Sequence, residues 1–441
     1  EPWLQPIVRI LTTVGTEAFT IFRDSQATRG INDPTTTDTS YNNPSKQKQK
    51  TLTHKHSNRT SSFKCDLAFV AKIPVKSLPS VLHKVKKSNV FQKALSGAAP
   101  SQGSGTNYLN SVTLLLRTML SDKRVYESVP KQLSSLVVSL HTTIFSLTGQ
   151  AALQSRIASL CQFYIVKKFP QYESVVTQTL PYLLVKSMST EGKNMDVRSL
   201  YQVRSAFGLL DAEDESFESI KSLILRAFMH PSFLDRSKHN DGIKFLAYLM
   251  THLGKNTLRD VHDIVKMQMM DANSAMLASY GTLYFEAWHI AIKEEKTAKE
   301  EFDHDPDARL NIETYLIQNL LHHGIHAGNS KVLKAVRSVL SVFFSKKDVD
   351  GVDAMCCRVY KPLIWRALSA ANPMVRSNGT VLLAEAFPLH DPEAPHSESE
   401  EMLKKQCESF ATLLKDNDPR VRVVAIKGAC RVLGLFWQLV R

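Results

Sequence analysis

The sequence predicts an all-α fold built from stacked antiparallel helix pairs, and three observations predict it. Beyond about position 108, almost every segment of ten to twenty residues repeats its apolar positions at helical spacing. No useful length of chain alternates apolar and polar residues with period two, so no sheet is expected. One helix–turn–helix unit also returns 46 residues later, between Asn372 and Asp418, and a period of that length marks a repeat array.

From the N-terminus, Trp3, Leu4, Ile7, Val8, Ile10, Leu11 and Val14 are spaced for one helix within 1–23. From 24 onward the composition turns to Thr, Ser, Asn, Gln and Lys. Such a segment buries too little apolar surface to offset its ordering entropy. Residues 24–107 are therefore expected to be a largely disordered basic arm with a short helical stretch, patterned over 63–95 and broken across 96–107 by Gly97, Pro100, Gly103 and Gly105. Helices are then expected at 111–120, 131–148, 153–168, 173–188, 197–210, 217–229, 242–253, 258–270, 275–293 and 312–323. The last group covers 331–344, 352–368, 374–386, 402–414 and 420–439. The array thus runs over 108–441. It is expected to be truncated at its C-terminus, because Val432, Leu433, Leu435, Phe436 and Trp437 form an apolar helix with no polar cap behind them. The absence of an initiator Met at Glu1 fits the same expectation of a fragment.

The formal charge of +13 suggests nucleic acid until it is located. Residues 1–110 carry 15 Lys and Arg against 6 Asp and Glu, and residues 111–200 carry 10 against 5. Residues 201–441 carry 30 against 31, so the basicity is N-terminal and most of the helical body is balanced. The run Lys46, Lys48 and Lys50, with Lys55, Arg59 and Lys64, suits either a DNA-touching arm or a solvated linker. Six cysteines without a C-x-x-C pair fit a reduced intracellular protein rather than a disulfide framework. Positions 132–155 carry no Asp, Glu, Lys or Arg, but half of them are Ser, Thr, Gln or His, which favours a buried helix over a membrane span.

The repeat has a local physical logic. Asn372-Pro373-Met374-Val375-Arg376 matches Asp418-Pro419-Arg420-Val421-Arg422. Asn or Asp caps free backbone N–H groups, and Pro suits the first helical position because it has no N–H to lose. Behind each turn the apolar positions keep register, with Val375, Gly379, Leu382, Leu383 and Ala386 matching Val421, Ala425, Gly428, Ala429 and Val432. Asn329-Ser330-Lys331-Val332 is a weaker third copy. The period lies in the HEAT/armadillo range, so the expected fold is a HEAT-type α-solenoid. Arg376 and Arg422 sit in the first helical turn, where the helix dipole disfavours a cation. That placement predicts a nearby acceptor, and Asp416 and Asp418 in the adjacent turn are the candidates for Arg376.

Lys331, Lys334 and Arg337 fall on one side of a helix and are followed by Lys346 and Lys347, with no acid between them. Phosphate contact and a solvated helix face are both open readings for these five cations. His322, His323 and His326 are spaced for a helix face but lack a third ligand of suitable type and an H-E-x-x-H frame, so no metal is expected. Cys356 and Cys357 point to different faces of one helix and are expected in the core. Core packing is also the expected place of His262, Met267, Met269, Met270 and Met276. Asn58-Arg59-Thr60 and Asn378-Gly379-Thr380 match the glycosylation pattern by chance.

The run from Tyr360 to Leu368, then Val375-Arg376-Ser377-Asn378, then Glu385 to Pro392, resembles the condensin II subunit family of the G type. His323-Gly324-Ile325-His326 and Tyr284-Phe285-Glu286-Ala287-Trp288 are similar to segments of the same family, and the resemblance covers about 111–441. It implies a HEAT-repeat subunit without catalytic activity or cofactor. Such a subunit would bind the kleisin that bridges the SMC ATPase heads and would help grip DNA in chromatin during mitotic chromosome condensation in the nucleus. It implies no membrane and no small-molecule substrate. In keeping with this, the sequence has no G-x-x-x-x-G-K-[ST] loop and no G-x-G-x-x-G. A HEAT scaffold of another class, such as a nuclear transport receptor or a phosphatase scaffold, would share the repeat but not the run from Tyr360 to Pro392. A metallohydrolase centred on His322–His326 is the third reading, and it lacks a nucleophile constellation.

Overall fold

A computed structural model describes residues 78–95, 102–147, 149–189, 194–210, 215–236, 240–297 and 306–436. The helix expected within 1–23 and the lysine-rich part of the arm lie outside these residues. The described chain is α-helical with short 3-10 and π segments, and no strand occurs among the described residues. It divides into two compact units at 182/183.

The first unit begins with α1 (Leu78–Lys87), α2 (Asn89–Leu95) and α3 (Gln102–Ser121). Helix α3 starts inside the segment expected to be a break. Its Gly103 and Gly105 are weak helix formers, but further along the same helix Leu109, Val112, Leu116, Met119 and Leu120 are all buried, and packing overrides propensity. Then follow α4 (Lys123–Ser128), α5 (Pro130–His141), α6 (Ala151–Val166) and α7 (Glu173–Ser187), the last of which crosses the division. Helix α1 packs on α5, α2 on α3, and both α3 and α5 on α6. The helix expected over 131–148 ends at His141. There the Thr143 hydroxyl donates to the Leu140 carbonyl at 2.7 Å, and the backbone continues in 3-10-type turns. No described helix is long and apolar enough to cross a membrane.

The second unit holds α8 (Asn194–Gln202), a 3-10 turn (Arg204–Leu209), α9 (Glu215–Ala227), α10 (Pro231–Leu234), α11 (Asp241–His252), α12 (Gly254–Met269) and α13 (Ser274–Thr297). After it come α14 (Ala308–Asn311), a π-helical segment (Ile312–Gln318) and α15 (Asn319–Ile325), in line with one another. The unit continues through α16 (Ser330–Phe344), α17 (Val352–Leu368), α18 (Pro373–Ala386), α19 (His396–Leu413) and α20 (Pro419–Phe436). Two layers result. One row is α11, α13, α16, α18 and α20, each packed on the next, and the other is α12, the π-containing rod and α17 in succession, with α19 packed on α20. This is the HEAT-type α-solenoid arrangement of stacked helix pairs.

The rows approach closely where side chains are absent. A Cβ on Gly281 would lie 2.5 Å from Val342 Cγ2 and 2.8 Å from the Val339 carbonyl, so glycine sets the α13–α16 distance. Cys356 and Cys357 are buried, as expected from their place on α17. The methionine group divides instead: Met269 is buried while Met267 is 73% exposed on the outer face of α12.

Candidate functional site: repeat joints and basic faces

All three turns with the Asn/Asp pattern are capped by that side chain, at the amide three residues on in the first turn and two residues on in the other two. Asn329 Oδ1 accepts from the Val332 amide at 2.9 Å, Asn372 Oδ1 from Met374 at 2.9 Å, and Asp418 Oδ1 from Arg420 at 2.8 Å. Each side chain satisfies an amide that helix formation leaves free. Pro373 and Pro419 occupy the first helical position behind the second and third caps.

The Nη1 contacts of the two arginines then repeat each other. Arg376 Nη1 donates to the carbonyls of Ala370 and Ala371 at 2.8 and 2.9 Å. Arg422 Nη1 donates to those of Asp416 and Asn417 at 2.8 and 3.0 Å. Each guanidinium folds back onto the carbonyl end of the preceding helix, so the acceptor that the unfavourable dipole demands is partly local. Arg376 also reaches forward, with Nε on Asp416 Oδ2 at 2.7 Å and Nη2 on Oδ1 at 2.8 Å. Asp416 Oδ1 in turn accepts the Asp418 amide at 2.8 Å. The guanidinium holds the Asp416 carboxyl below its usual range, and Arg420 lowers Asp418 to about 2.

The five cations for which phosphate contact and a solvated face were both open are mostly engaged with the protein itself. Arg337 donates through Nε and Nη2 to Glu385 on α18, the Nε bond being 2.8 Å, and Arg431 on α20 lies 3.7 Å from the same carboxylate. Lys347 donates to the carbonyls of Ala386 and Pro388 at 3.1 and 2.9 Å and pairs with Asp353 at 3.4 Å, closing the C-terminal end of α18. The Lys346 ammonium stands 3.6 Å from the centre of the Phe285 ring. Lys331 pairs in solvent with Asp271 at 3.2 Å, and Lys334 is exposed without a carboxylate partner among the described residues. The acids missing from the local sequence arrive from other elements, at 271, 353 and 385.

Sequence reasoning missed a polar joint of the same kind. Glu313 is buried in the π-helical segment. It accepts from Trp288 Nε1 at 3.1 Å and from Arg358 Nε and Nη2 at 3.1 and 2.8 Å, tying α13, the π segment and α17 together. The aromatic run from Tyr284 to Trp288 was the only sequence signal for it. His262 on α12 is 2% exposed and makes a 2.9 Å hydrogen bond with Tyr284 Oη; burial, with Lys266 nearby, lowers its pKa to about 4.

His322 and His326 are exposed, with ring centres 4.4 Å apart and planes tilted by 39°, and among the described residues no three His, Cys, Asp or Glu groups are placed to hold a metal. Asn378 is buried and donates to the carbonyls of Ile325 and Ala327 at 3.1 and 3.0 Å, so its amide belongs to the α15–α18 joint.

Residues 226–391 match the family of condensin II non structural maintenance of chromosomes subunits. The chain is 30% identical over 334 residues to condensin-2 complex subunit G2 of Homo sapiens, covering 75% of this chain and 27% of that protein. Against the same subunit of Danio rerio it is 32% identical over 247 residues, covering 56% of this chain and 20% of the relative. The chain therefore spans about a quarter of the length of the curated relatives it matches. Among solved structures it is similar to one described as the structure of the Pds5-Scc1 complex and implications for cohesin function, with TM-score 0.41 and 15% identity, over 90% of this chain and 57% of the other. The family match falls on the part of the second unit where the Glu313 and Arg337–Glu385 joints lie, and the similarity extends over most of the sequence: this is a condensin II G2-like chain of HEAT-type repeats.

Proposed function

We propose that the chain is a non-catalytic scaffold of a condensin II complex, working in the nucleus on mitotic chromosomes. It binds the kleisin subunit, stands through it beside the SMC ATPases, and contacts DNA. The observation that carries this reading is where the buried and half-buried charge goes in the region of the family match. Glu313, Glu385 and Lys347 each tie one element of the stack to another. A chain that spends its buried polar groups on joints is built to hold a surface in shape. On this reading Arg337, Lys346 and Lys347 serve the stack, while Lys331 and Lys334 remain accessible to phosphate. Affinity purification of the tagged full-length protein, with mass spectrometry of what accompanies it, tests the reading. Recovery of a kleisin and SMC ATPases is expected. Recovery of transport cargo or of a phosphatase catalytic subunit in their place would transfer the chain to another class of HEAT scaffold.

A further inference from the structure

The first unit carries a basic surface that none of the site residues above touches. Residues 78–182 hold 11 Lys and Arg against 3 Asp and Glu. Two of those acids are already occupied locally, Asp122 by Arg124 at 3.0 Å and Glu127 by Lys123 at 3.7 Å. Between α1 and α5 lies a depression of about 510 Å³ whose lining contains no carboxylate. His83, Lys86 and Lys87 fall at i, i+3 and i+4 on α1 and so share one face of that helix. Lys131 and Ser135 come from α5. Lys86 Nζ donates to Ser135 Oγ, and Gln92 Nε2 donates to the Lys86 carbonyl at 2.7 Å, which closes the end of α1.

The helix dipole accounts for part of this charge but not all of it. Lys84, Lys86 and Lys87 lie in the last turn of α1, where cations are favourable. Lys131 lies in the first turn of α5, which holds no acid, and there the dipole opposes a cation. Folding thus brings an ammonium at an unfavourable helix end up to the cationic end of α1, with no carboxylate in the lining. An anion seated between the helices relieves both costs at once. The lining offers ammonium, imidazole, amide and hydroxyl groups and no exposed Phe, Tyr, Trp or aliphatic anchor, which an acidic peptide would need and a phosphate backbone would not.

We propose that this α1–α5 depression is a binding site for the phosphate backbone of duplex DNA. It rests on the reading of the chain as a DNA-contacting scaffold and names the surface that makes the contact. The test is the salt dependence of binding of a labelled random-sequence duplex to the full chain, for the native protein and for a Lys87→Gln/Lys131→Gln variant, with Lys415→Gln, an exposed lysine of the second unit, as a control. Both substituted lysines are exposed, so folding is retained, and circular dichroism checks that. The double variant is expected to flatten the log–log salt slope by roughly 2 and to weaken binding about tenfold at low salt, since each phosphate contact contributes about 0.9 to the slope. An unchanged slope in the double variant, while the native chain binds DNA, overturns this site and leaves the scaffold reading standing. Poly-glutamate binding that the double variant loses, with DNA binding intact, also overturns it and marks a protein-docking surface. A full-length protein that recovers kleisin and SMC ATPases but whose chain binds no DNA overturns the inference without touching the scaffold assignment. Failure to recover those partners is the separate failure of that assignment.

Discussion

Arg376 grips Asp416 with two parallel N–H···O bonds of 2.7 and 2.8 Å while its third nitrogen holds the carbonyls of Ala370 and Ala371. One side chain thereby closes the end of α17, starts α18 and reaches the turn that begins α20. Both partners are half-buried, at 16% and 10% side-chain exposure, so the pair is held by its two-point geometry while solvent still screens part of its charge.

Arg376→Ala is therefore expected to destabilise the second unit by about 1–2 kcal/mol, because it removes both guanidinium bonds from a half-buried carboxylate. Arg376→Lys should restore only part of the loss, since an ammonium cannot form the two-point contact. Urea unfolding followed by circular dichroism measures both variants. Equal midpoints for all three proteins would remove the joint from the account of stability.

Neutralising Lys334, Arg337 and Lys346 together separates a DNA track from a structural one. A five-cation track would lose up to about 3 from its log–log salt slope. The structure leads instead to a change of no more than about 1, from Lys334, together with a clear fall in melting temperature from the loss of the Arg337–Glu385 bridge. A slope change near 3 with unaltered melting would restore the track.

Buried His262 gives the second unit a pH dependence with a defined sign. Its folded pKa, about 4, lies below the usual 6.5, so between those values the unfolded chain binds more protons than the folded one. Its contribution is fully present above pH 6.5 and is lost as the pH falls towards 4, on the order of 3 kcal/mol in total. Melting temperature measured from pH 7.5 to 4 should drop more steeply in the native protein than in His262→Gln, and parallel curves would contradict this.

At the α13–α16 crossing, Gly281→Ala is expected to cost about 1–3 kcal/mol, as overpacking does. Adding Val342→Ala should recover some of the loss by removing the Cγ2 contact. It should not recover all of it, because the Val339 carbonyl still lies 2.8 Å from the new Cβ. Full recovery in thermal melts would show that the backbones move apart freely.

The sequence alone determined the helical class, the repeat and its turns. Those rest on interactions within a few residues: an Asn or Asp capping an amide two or three positions on, a Pro at the first helical position, and apolar spacing along one helix. It also located the charge in the N-terminal part of the chain, and it left phosphate contact and a solvated face both open for the cations from Lys331 to Lys347. The partners of single cations were a matter for the tertiary structure. Glu385 lies 48 residues from Arg337, and Asp271 lies 60 from Lys331, so nothing in the local pattern distinguished a bridged cation from a solvated one. The same holds for Glu313, whose burial is compensated by Trp288 and Arg358, 25 and 45 residues away on two other helices. Local hydrogen bonds and periodicity are written within a few residues of chain; whether a charge meets an acid, a ring or water depends on which helices the stack brings side by side.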